Sequence, residues 1–246
     1  MTATQDRLTA VEEHLRALSL MRPSLKYAGE HSAKGARTVK AILTAAQDVF
    51  TEVGHAGLSL RQVAARSGVT VGNLNYYFPS KQALLDAMLR ESLADYVDGH
   101  IAPMLAENIS PLEALVRVID FYVRSGRETH RLFLQIWGFA ASDEGAKELV
   151  AELYRSVGRF IRQLIMAANP ELTQDEARQA VVSIFALEEG MKLFMGLGPE
   201  GDRSMARAED EVRRLTLHIV KAEHAAAHHA IDSLYTANGA QTGVTD

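Results

Sequence analysis

Cysteine is absent from the 246 residues, so disulfides, thiolate metal sites and cysteine nucleophiles are excluded. Proline (6) and glycine (17) are scarce, which excludes a collagen-like or broadly disordered chain. The apolar runs are short and interrupted by charge, so we expect no membrane-spanning segment and no membrane partner. The N-terminus MTATQDRLTA lacks the basic and apolar regions of a secretory signal, and a cytoplasmic location is therefore expected.

The net charge of −5 is unevenly distributed along the chain. Residues 22–91 carry nine Lys or Arg and five Asp or Glu, a net charge of +4, whereas residues 92–246 have a net charge of −8. A basic segment joined to an acidic one is expected where only one end of a protein meets phosphates. The distribution therefore favours nucleic-acid binding by the N-terminal part more than the total charge does.

Helical periodicity and helix-capping signals dominate the chain, and no segment alternates with the period of a strand. The pattern predicts an all-α protein of about nine to eleven helices. Starts are marked by Ser59, Ser80, Ser110-Pro111, Ser142-Asp143 and Thr173. The predicted helices cover about residues 6–19, 38–54, 59–68, 71–78, 80–97, 142–169, 173–198 and 203–230, with a further helix starting at 110.

Four segments follow from this pattern and from the charge distribution. Residues 1–34 form an N-terminal arm, which either contacts DNA or is an ordinary leader. Residues 35–88 are predicted to form a three-helix DNA-binding domain of helix-turn-helix type, and residues 89–235 a second, helical domain. Residues 236–246 are a small polar tail.

Two short helices joined by a glycine turn form the helix-turn-helix pattern in SLRQVAARSGVTVGNLNYYF. Its apolar positions can face a small core, which leaves Thr, Asn and Tyr side chains outside to bond base edges and phosphates. Ser59 and Lys81 lie near helix N-termini, where exposed N–H groups favour anions. The apolar positions are Leu60, Val63, Ala64, Val69, Leu74 and Phe78.

Residues 38–88 resemble the DNA-binding domain of the TetR family of transcriptional regulators, most specifically in SLRQVAARSGVT and GNLNYYFPSKQALL. The resemblance implies that the helix near residues 70–77 enters the major groove of double-stranded operator DNA. It places Thr70, Val71, Gly72 and Asn73 near bases. It places Ser59, Arg61, Tyr76, Tyr77 and Lys81 near phosphates, and Lys34, Arg37 and Asn75 complete the candidate DNA-binding set.

Asn75 departs from the family pattern, which usually has Tyr at this position. Asn can pair with adenine but offers no ring against the sugar-phosphate backbone, so its role stays open. Tyr76 or Tyr77 could instead complete the small core, and this alternative suits Tyr77 better.

The resemblance to the TetR family implies that the acidic part, residues 89–235, is a regulatory domain that binds a ligand and dimerises. The segment HRLFLQIWGFAASDEGAKELVAELYRSVGRFIRQLI is similar to the effector domains of the choline-responsive BetI-like branch, although this similarity assigns no ligand. The alternative for each pocket candidate is plain core packing. The pocket candidates for a small-molecule effector are Phe121, Tyr122, Phe133, Trp137, Phe160, Phe185, Glu188 and Met191. The candidates for the homodimer interface, implied to involve the last two helices, are Val181, Ile184, Leu187, Phe194, Leu215 and Ile219.

Glu188 and Glu189 interrupt the apolar run VVSIFALEEGMKLFMGL, where an unpaired buried charge is costly. They face a cationic ligand, a subunit interface or solvent, or one of them pairs with Lys192, and solvent or the ion pair is the simpler expectation. His224 and His228 have a spacing that suits one metal ion, but the sequence fixes no third ligand beside them. We therefore expect no metal and no cofactor.

The favoured function is a ligand-responsive transcriptional repressor. An all-helical enzyme is the alternative from another class, but no HExxH, P-loop or GxSxG motif is present, so catalytic residues are not expected. A DNA-binding architectural protein without an effector is the third possibility, and the large acidic helical domain argues against it.

Overall fold

The computed structural model describes residues 33–101, 109–197 and 203–220, together with the single residues 9, 13 and 103. These ranges contain eight α-helices and no strand, so the all-α class is confirmed while the helix count is below the expected nine to eleven. The helix predicted over 6–19 lies outside the described ranges. The helices are α1 (Ala33–Gly57), α2 (Leu60–Ser67), α3 (Val71–Tyr77), α4 (Lys81–Tyr96), α5 (Pro111–Ser142), α6 (Glu144–Ala168), α7 (Gln174–Leu197) and α8 (Arg203–Val220).

Side-chain caps fix the helix starts where the sequence predicts them. Ser59, Ser80, Ser110 and Asp143 each accept a hydrogen bond from the backbone N–H three residues on. The exception is α1, which begins at Ala33 and not near residue 38. Thr38 lies inside this helix, where its hydroxyl donates to the Lys34 carbonyl one turn back at 3.1 Å instead of capping a helix start.

Gly54 bends α1 near its C-terminal end. Its φ of 67° and ψ of −177° lie in a region that only glycine adopts without strain. The kink lets residues 55–57 turn away while Gly54 faces Gln135 of α5, whose side-chain oxygen occupies the space that a Cβ would fill. The predicted end of the first helix at Gly54 is therefore a break in direction.

The N-terminal helices share one hydrophobic core with parts of α5 and α6. Val39, Ile42 and Phe50 of α1 are fully buried in it. Ile136 and Phe139 near the end of α5 belong to the same core, as do Ala146, Leu149 and Val150 of α6. The helix-turn-helix unit is thus packed directly onto the rest of the chain.

Helices α5 to α8 enclose a second core, and α4 runs from one core into the other. α4 continues beyond residue 88 to Tyr96 and is followed by a π-helical turn, Val97–Ile101. On the other side of the bundle, Arg213 of α8 donates to Asp120 of α5 at 2.7 Å, and Arg127 of α5 pairs with Glu209 of α8 at 2.6 Å. Among the described residues, no helix is both long and apolar enough to cross a membrane.

Candidate DNA-binding surface and effector cavity

The support for α3 is built from the apolar residues that the sequence analysis identified. Val63, Ala64, Leu74 and Phe78 are buried, and Leu60 and Val69 are half-buried against the same core. The turn between α2 and α3 uses Gly68 in the left-handed conformation, with φ 71° and ψ 21°. These contacts fix the orientation of α3, which has only seven residues and little stability alone.

The outer face of α3 carries the residues expected near bases. Thr70 caps the helix by accepting a hydrogen bond from the Asn73 N–H at 3.1 Å. Val71, Gly72 and Asn73 are exposed, as is Asn75. Within Val71–Tyr77, Leu74 is the only buried residue, and every other residue except the half-buried Tyr77 is exposed.

Of the two tyrosines, Tyr77 is the one that packs into the small core, as the sequence favours. Tyr76 is 67% exposed, whereas Tyr77 is half-buried and packs against the N-terminal core. Their rings meet edge to face, with centroids 5.1 Å apart. Tyr77 therefore supports the orientation of Tyr76, and Tyr76 presents the larger surface to a ligand.

The polar residues flanking α3 fall into two groups. The Lys81 ammonium donates to the His55 carbonyl, and its burial lowers its pKa. The Ser59 hydroxyl donates to Gln62 Oε1 at 2.7 Å and caps α2. A phosphate would have to share or replace these bonds. Lys34, Arg37 and Arg61 are exposed, as is Ser59, whereas Lys81 is half-buried.

A cavity of about 310 Å³ lies between α4, α5, α6 and α7, and α1 closes one side. This is within the usual size range of small-molecule sites. Four of the eight pocket candidates line it: Tyr122, Phe133, Phe185 and Glu188. The other lining residues are Gln47, Leu89, Ser92, Leu93, Asp95, Thr129, Leu132, Ile136, Val150, Leu153, Tyr154, Val157, Glu189 and Lys192.

The remaining four candidates do not line this cavity. Phe160 and Met191 are buried in the second core, and Phe121 packs against that core. Trp137 lies behind the cavity wall, where its indole N–H donates to the Tyr154 hydroxyl at 3.0 Å. Residue type alone does not distinguish these positions, because aromatic side chains occur both in the core and in the cavity wall.

A polar network crosses one wall of the cavity. The Tyr154 hydroxyl donates to Glu189 Oε1 at 3.0 Å, and Lys192 Nζ lies 3.2 Å from Glu189 Oε2. The Lys192 ammonium also lies 4.0 Å from the centre of the Phe133 ring. Burial and the Glu189 charge raise the pKa of Tyr154, so its hydroxyl stays protonated and able to donate. Glu189 is therefore held by two partners.

Glu188 is in a different situation. Its side chain is only 2% exposed, and Oε1 has no hydrogen-bond partner. Burial raises its pKa from 4.5 to about 8, with a further contribution from Glu189, although Lys192 opposes the shift. Glu188 is therefore not exposed to solvent, which was one of the two simpler expectations for these glutamates. The other expectation, an ion pair with Lys192, is met by Glu189.

Several cavity residues lie in helices α1 and α4, for which the sequence predicts no pocket. Gln47 of α1 accepts a hydrogen bond from the Ser92 hydroxyl of α4 at 2.7 Å, and Asp95 of α4 pairs with Lys40 of α1 at 2.8 Å. Nothing in the local pattern around these residues indicates a cavity. Tyr154, by contrast, satisfies the aromatic criterion that selected the other candidates.

The dimer candidates differ in exposure: two are buried, one is exposed and three are half-buried. Val181 and Ile184 are buried in the chain's own core, so they are not available to a partner. Phe194 is 66% exposed. Leu187, Leu215 and Ile219 are half-buried. The apolar residue beside Val181 that does face outward is Val182, which is 61% exposed.

No group of three potential metal ligands occurs in the part of the chain that the structure describes. His224 and His228 lie outside it.

The family described as bacterial regulatory proteins, tetR family, matches residues 42–88. Among similar proteins, the regulator RutR of Escherichia coli K12 is 39% identical over 107 residues, which are 43% of this chain and 49% of RutR. The chain thus spans about half the length of RutR. BetI 1 of Chromohalobacter salexigens is 27% identical over 72% of this chain and 91% of its own. The regulator Mb3439c of Mycobacterium bovis is 32% identical over 157 residues, covering 63% of this chain and 71% of Mb3439c.

Solved structures with the same fold cover most of the chain. A TetR transcription regulator from Haloarcula marismortui superimposes with a TM-score of 0.63 at 19% identity, over 76% of this chain and 98% of that one. A regulator from Saccharomonospora viridis in complex with choline has a TM-score of 0.61 at 20% identity, over 76% and 97%. These matches show that the fold likeness extends beyond the helix-turn-helix unit to the helices that follow it. The chain belongs to the TetR family of DNA-binding transcriptional regulators.

Proposed function

We propose that the protein is a ligand-responsive repressor that binds a palindromic operator as a homodimer and is released by a small molecule. The observation that carries the proposal is the exposed polar face of α3 on a buried support, in a chain that also encloses a cavity of about 310 Å³. The first feature suits recognition of base edges, and the second suits regulation by an effector.

In this proposal α3 enters the major groove. The side-chain amide of Asn73 can donate to and accept from adenine, and the Thr70 hydroxyl can reach a base or a phosphate. Exposed Lys34, Arg37 and Arg61 supply attraction to the backbone that does not depend on sequence. Asn73 therefore contributes specificity, and the three cations contribute affinity.

The homodimer uses the outward face of α7. Val182, Leu193 and Leu197 are exposed, and the spacing of three or four residues aligns them with Ala186 and Gly190. Such a face is costly to leave in water, and a second copy would cover it. Pairing around α7 and α8 would place two α3 helices about 34–36 Å apart, the spacing of successive major grooves.

The effector signal passes through helices that belong to both the cavity and the DNA-binding unit. α5 contributes Phe133 to the cavity wall, and six residues further on its Phe139 stacks on His55 of α1 with ring centroids 4.1 Å apart. Gln47 of α1 and Ser92 of α4 line the cavity directly. A ligand that prefers another arrangement of these helices would shift the population away from the DNA-binding spacing.

The test is selection of genomic fragments by the purified protein, followed by sequencing. We expect enrichment of a shared palindrome upstream of a few genes, and release of these fragments by a component of cell extract. Absence of enrichment at moderate salt, with and without extract, would contradict the proposal.

A further inference from the structure

Glu188 lies in the cavity wall with an unused hydrogen-bond acceptor. Its side chain is 2% exposed, and Oε1 has no partner. A buried acceptor without a donor costs about 1–3 kcal/mol, and more if it is charged. Because Glu188 lines the cavity, rotation of its carboxyl group can bring this oxygen to a ligand that supplies the missing donor.

The charged side chains around the cavity leave Glu188 without a cationic partner of its own. Among the lining residues that the structure describes, Lys192 is the only cation, and it pairs with Glu189, which also accepts a hydrogen bond from Tyr154. Asp95, at the α4 side, pairs with Lys40. Tyr122 is the remaining titratable side chain of the wall and carries no charge at neutral pH. Two inner carboxylates thus share one ammonium.

The rest of the wall suits a cation with an apolar body. Phe133, Tyr154 and Phe185 present aromatic rings to the cavity, and the Tyr154 and Phe185 rings meet edge to face at 5.5 Å. Aromatic faces attract ammonium groups by about 0.5–2 kcal/mol. Leu132, Val150 and Leu153 provide apolar contacts for a hydrocarbon part.

We propose that the effector is an organic primary or secondary ammonium ion with an apolar body, and that its N–H group donates to Glu188 Oε1. This deepens the proposed function, because it names the chemical class that occupies the cavity of the regulator. An N–H donor is required because a quaternary ammonium ion would leave Oε1 unpartnered.

Binding should release a proton. With the pKa of Glu188 raised to about 8, the carboxyl of the empty protein is mostly protonated at pH 7. The ammonium ion binds the carboxylate, so the carboxyl proton passes to solvent while the ligand keeps its own. The dissociation constant should therefore rise up to tenfold for each unit by which the pH is lowered below about 8, and change little just above that value.

The experiment is calorimetric titration of the full chain, without DNA, with butylamine, hexylamine, benzylamine and phenethylamine. The matched probes are the corresponding alcohols and the N-trimethylated derivatives. We expect at least one amine to bind at least tenfold more tightly than both of its counterparts. Titrations in two buffers of different ionisation enthalpy measure the proton released. Failure of every amine to bind at millimolar concentration, or equal binding of the alcohols, overturns the proposal.

The variant Glu188→Gln keeps the shape of the side chain and removes its charge. We expect it to weaken amine binding about 10- to 100-fold, the equivalent of one charge-assisted hydrogen bond, and to abolish proton release. Glu148→Gln makes the same change on the exposed surface of α6 and should alter neither. Unchanged amine affinity and proton release in Glu188→Gln would refute the role of this residue.

The two proposals fail separately. Amine binding with proton release by a protein that enriches no DNA fragment would contradict the repressor function and leave the amine site in place. Release of an enriched fragment by a neutral or anionic compound, with no amine bound, would overturn the effector class and leave the repressor function.

Discussion

Leu74→Ala should loosen the DNA-binding helix from its support. Leu74 is fully buried and is the only buried residue of α3. The substitution removes three carbon atoms, worth about 2.4 kcal/mol at roughly 0.8 kcal/mol each. The cavity left behind raises the expected loss to about 3–5 kcal/mol of unfolding free energy. For a chain of this size that corresponds to a fall in Tm of about 6–20 °C.

The assay is urea unfolding followed by circular dichroism, with Asn73→Ala as the control. Asn73 is the exposed neighbour of Leu74, so its removal should change stability by less than about 0.5 kcal/mol while weakening operator binding. A loss below about 1 kcal/mol for Leu74→Ala would refute the inference that this residue holds α3 in place.

Three further predictions concern other parts of the molecule. Gly72→Ala should raise the free energy of unfolding by about 0.5–1 kcal/mol, because alanine favours the helix and no atom lies within 4 Å of the added Cβ. The same Cβ should weaken operator binding, because α3 is proposed to approach DNA closely. A more stable variant with unchanged operator affinity would contradict this close approach. Phe194→Asp should shift the protein to monomer in sedimentation without loss of helical signal, whereas a dimer of unchanged strength would rule out this face of α7. For Glu188 the pKa is about 8 in the folded chain and 4.5 in the unfolded chain, so the folded state holds the extra proton between these values. The stability that this proton contributes is then lost as pH rises from 4.5 to 8, by at most about 1.4 kcal/mol per pH unit; Glu188→Gln should flatten this dependence, and an unchanged slope would contradict the shift.

Local signals predicted the helix-turn-helix unit well. The capping residues Ser59 and Ser80, the glycine at Gly68 and the apolar positions of α2 and α3 act over three or four residues, and the sequence displays them directly. The early start of α1 escaped prediction because Thr38 is equally compatible with a helix start and a helix interior.

The cavity between the helices could be predicted only in part. Aromatic type selected Phe133 and Phe185 correctly as wall residues, but it also selected Phe160, which packs in the core. Which apolar side chains border a void depends on how four helices meet, and the sequence of one helix does not contain that information. Gln47 shows the same limit, because it reaches the cavity from the DNA-binding unit.

The charged pair at 188 and 189 shows how tertiary packing decides between equivalent sequence neighbours. Both glutamates are within one helical turn of Lys192, and the sequence offers no reason to prefer either. In the structure Glu189 takes the ion pair at 3.2 Å and the Tyr154 hydrogen bond, and Glu188 remains buried without either.

The central claim is that α3 reads operator DNA, and fluorescence anisotropy tests it most directly. The titrations use the enriched fragment and the same fragment with scrambled half-sites, for the wild type, Asn73→Ala and Arg61→Ala over a series of salt concentrations. We predict that the wild type prefers the intact fragment, that Asn73→Ala loses about 1–3 kcal/mol of this preference, and that Arg61→Ala weakens binding to both fragments and lowers the salt slope. Equal binding of both fragments by the wild type, or full discrimination by Asn73→Ala, would contradict the account.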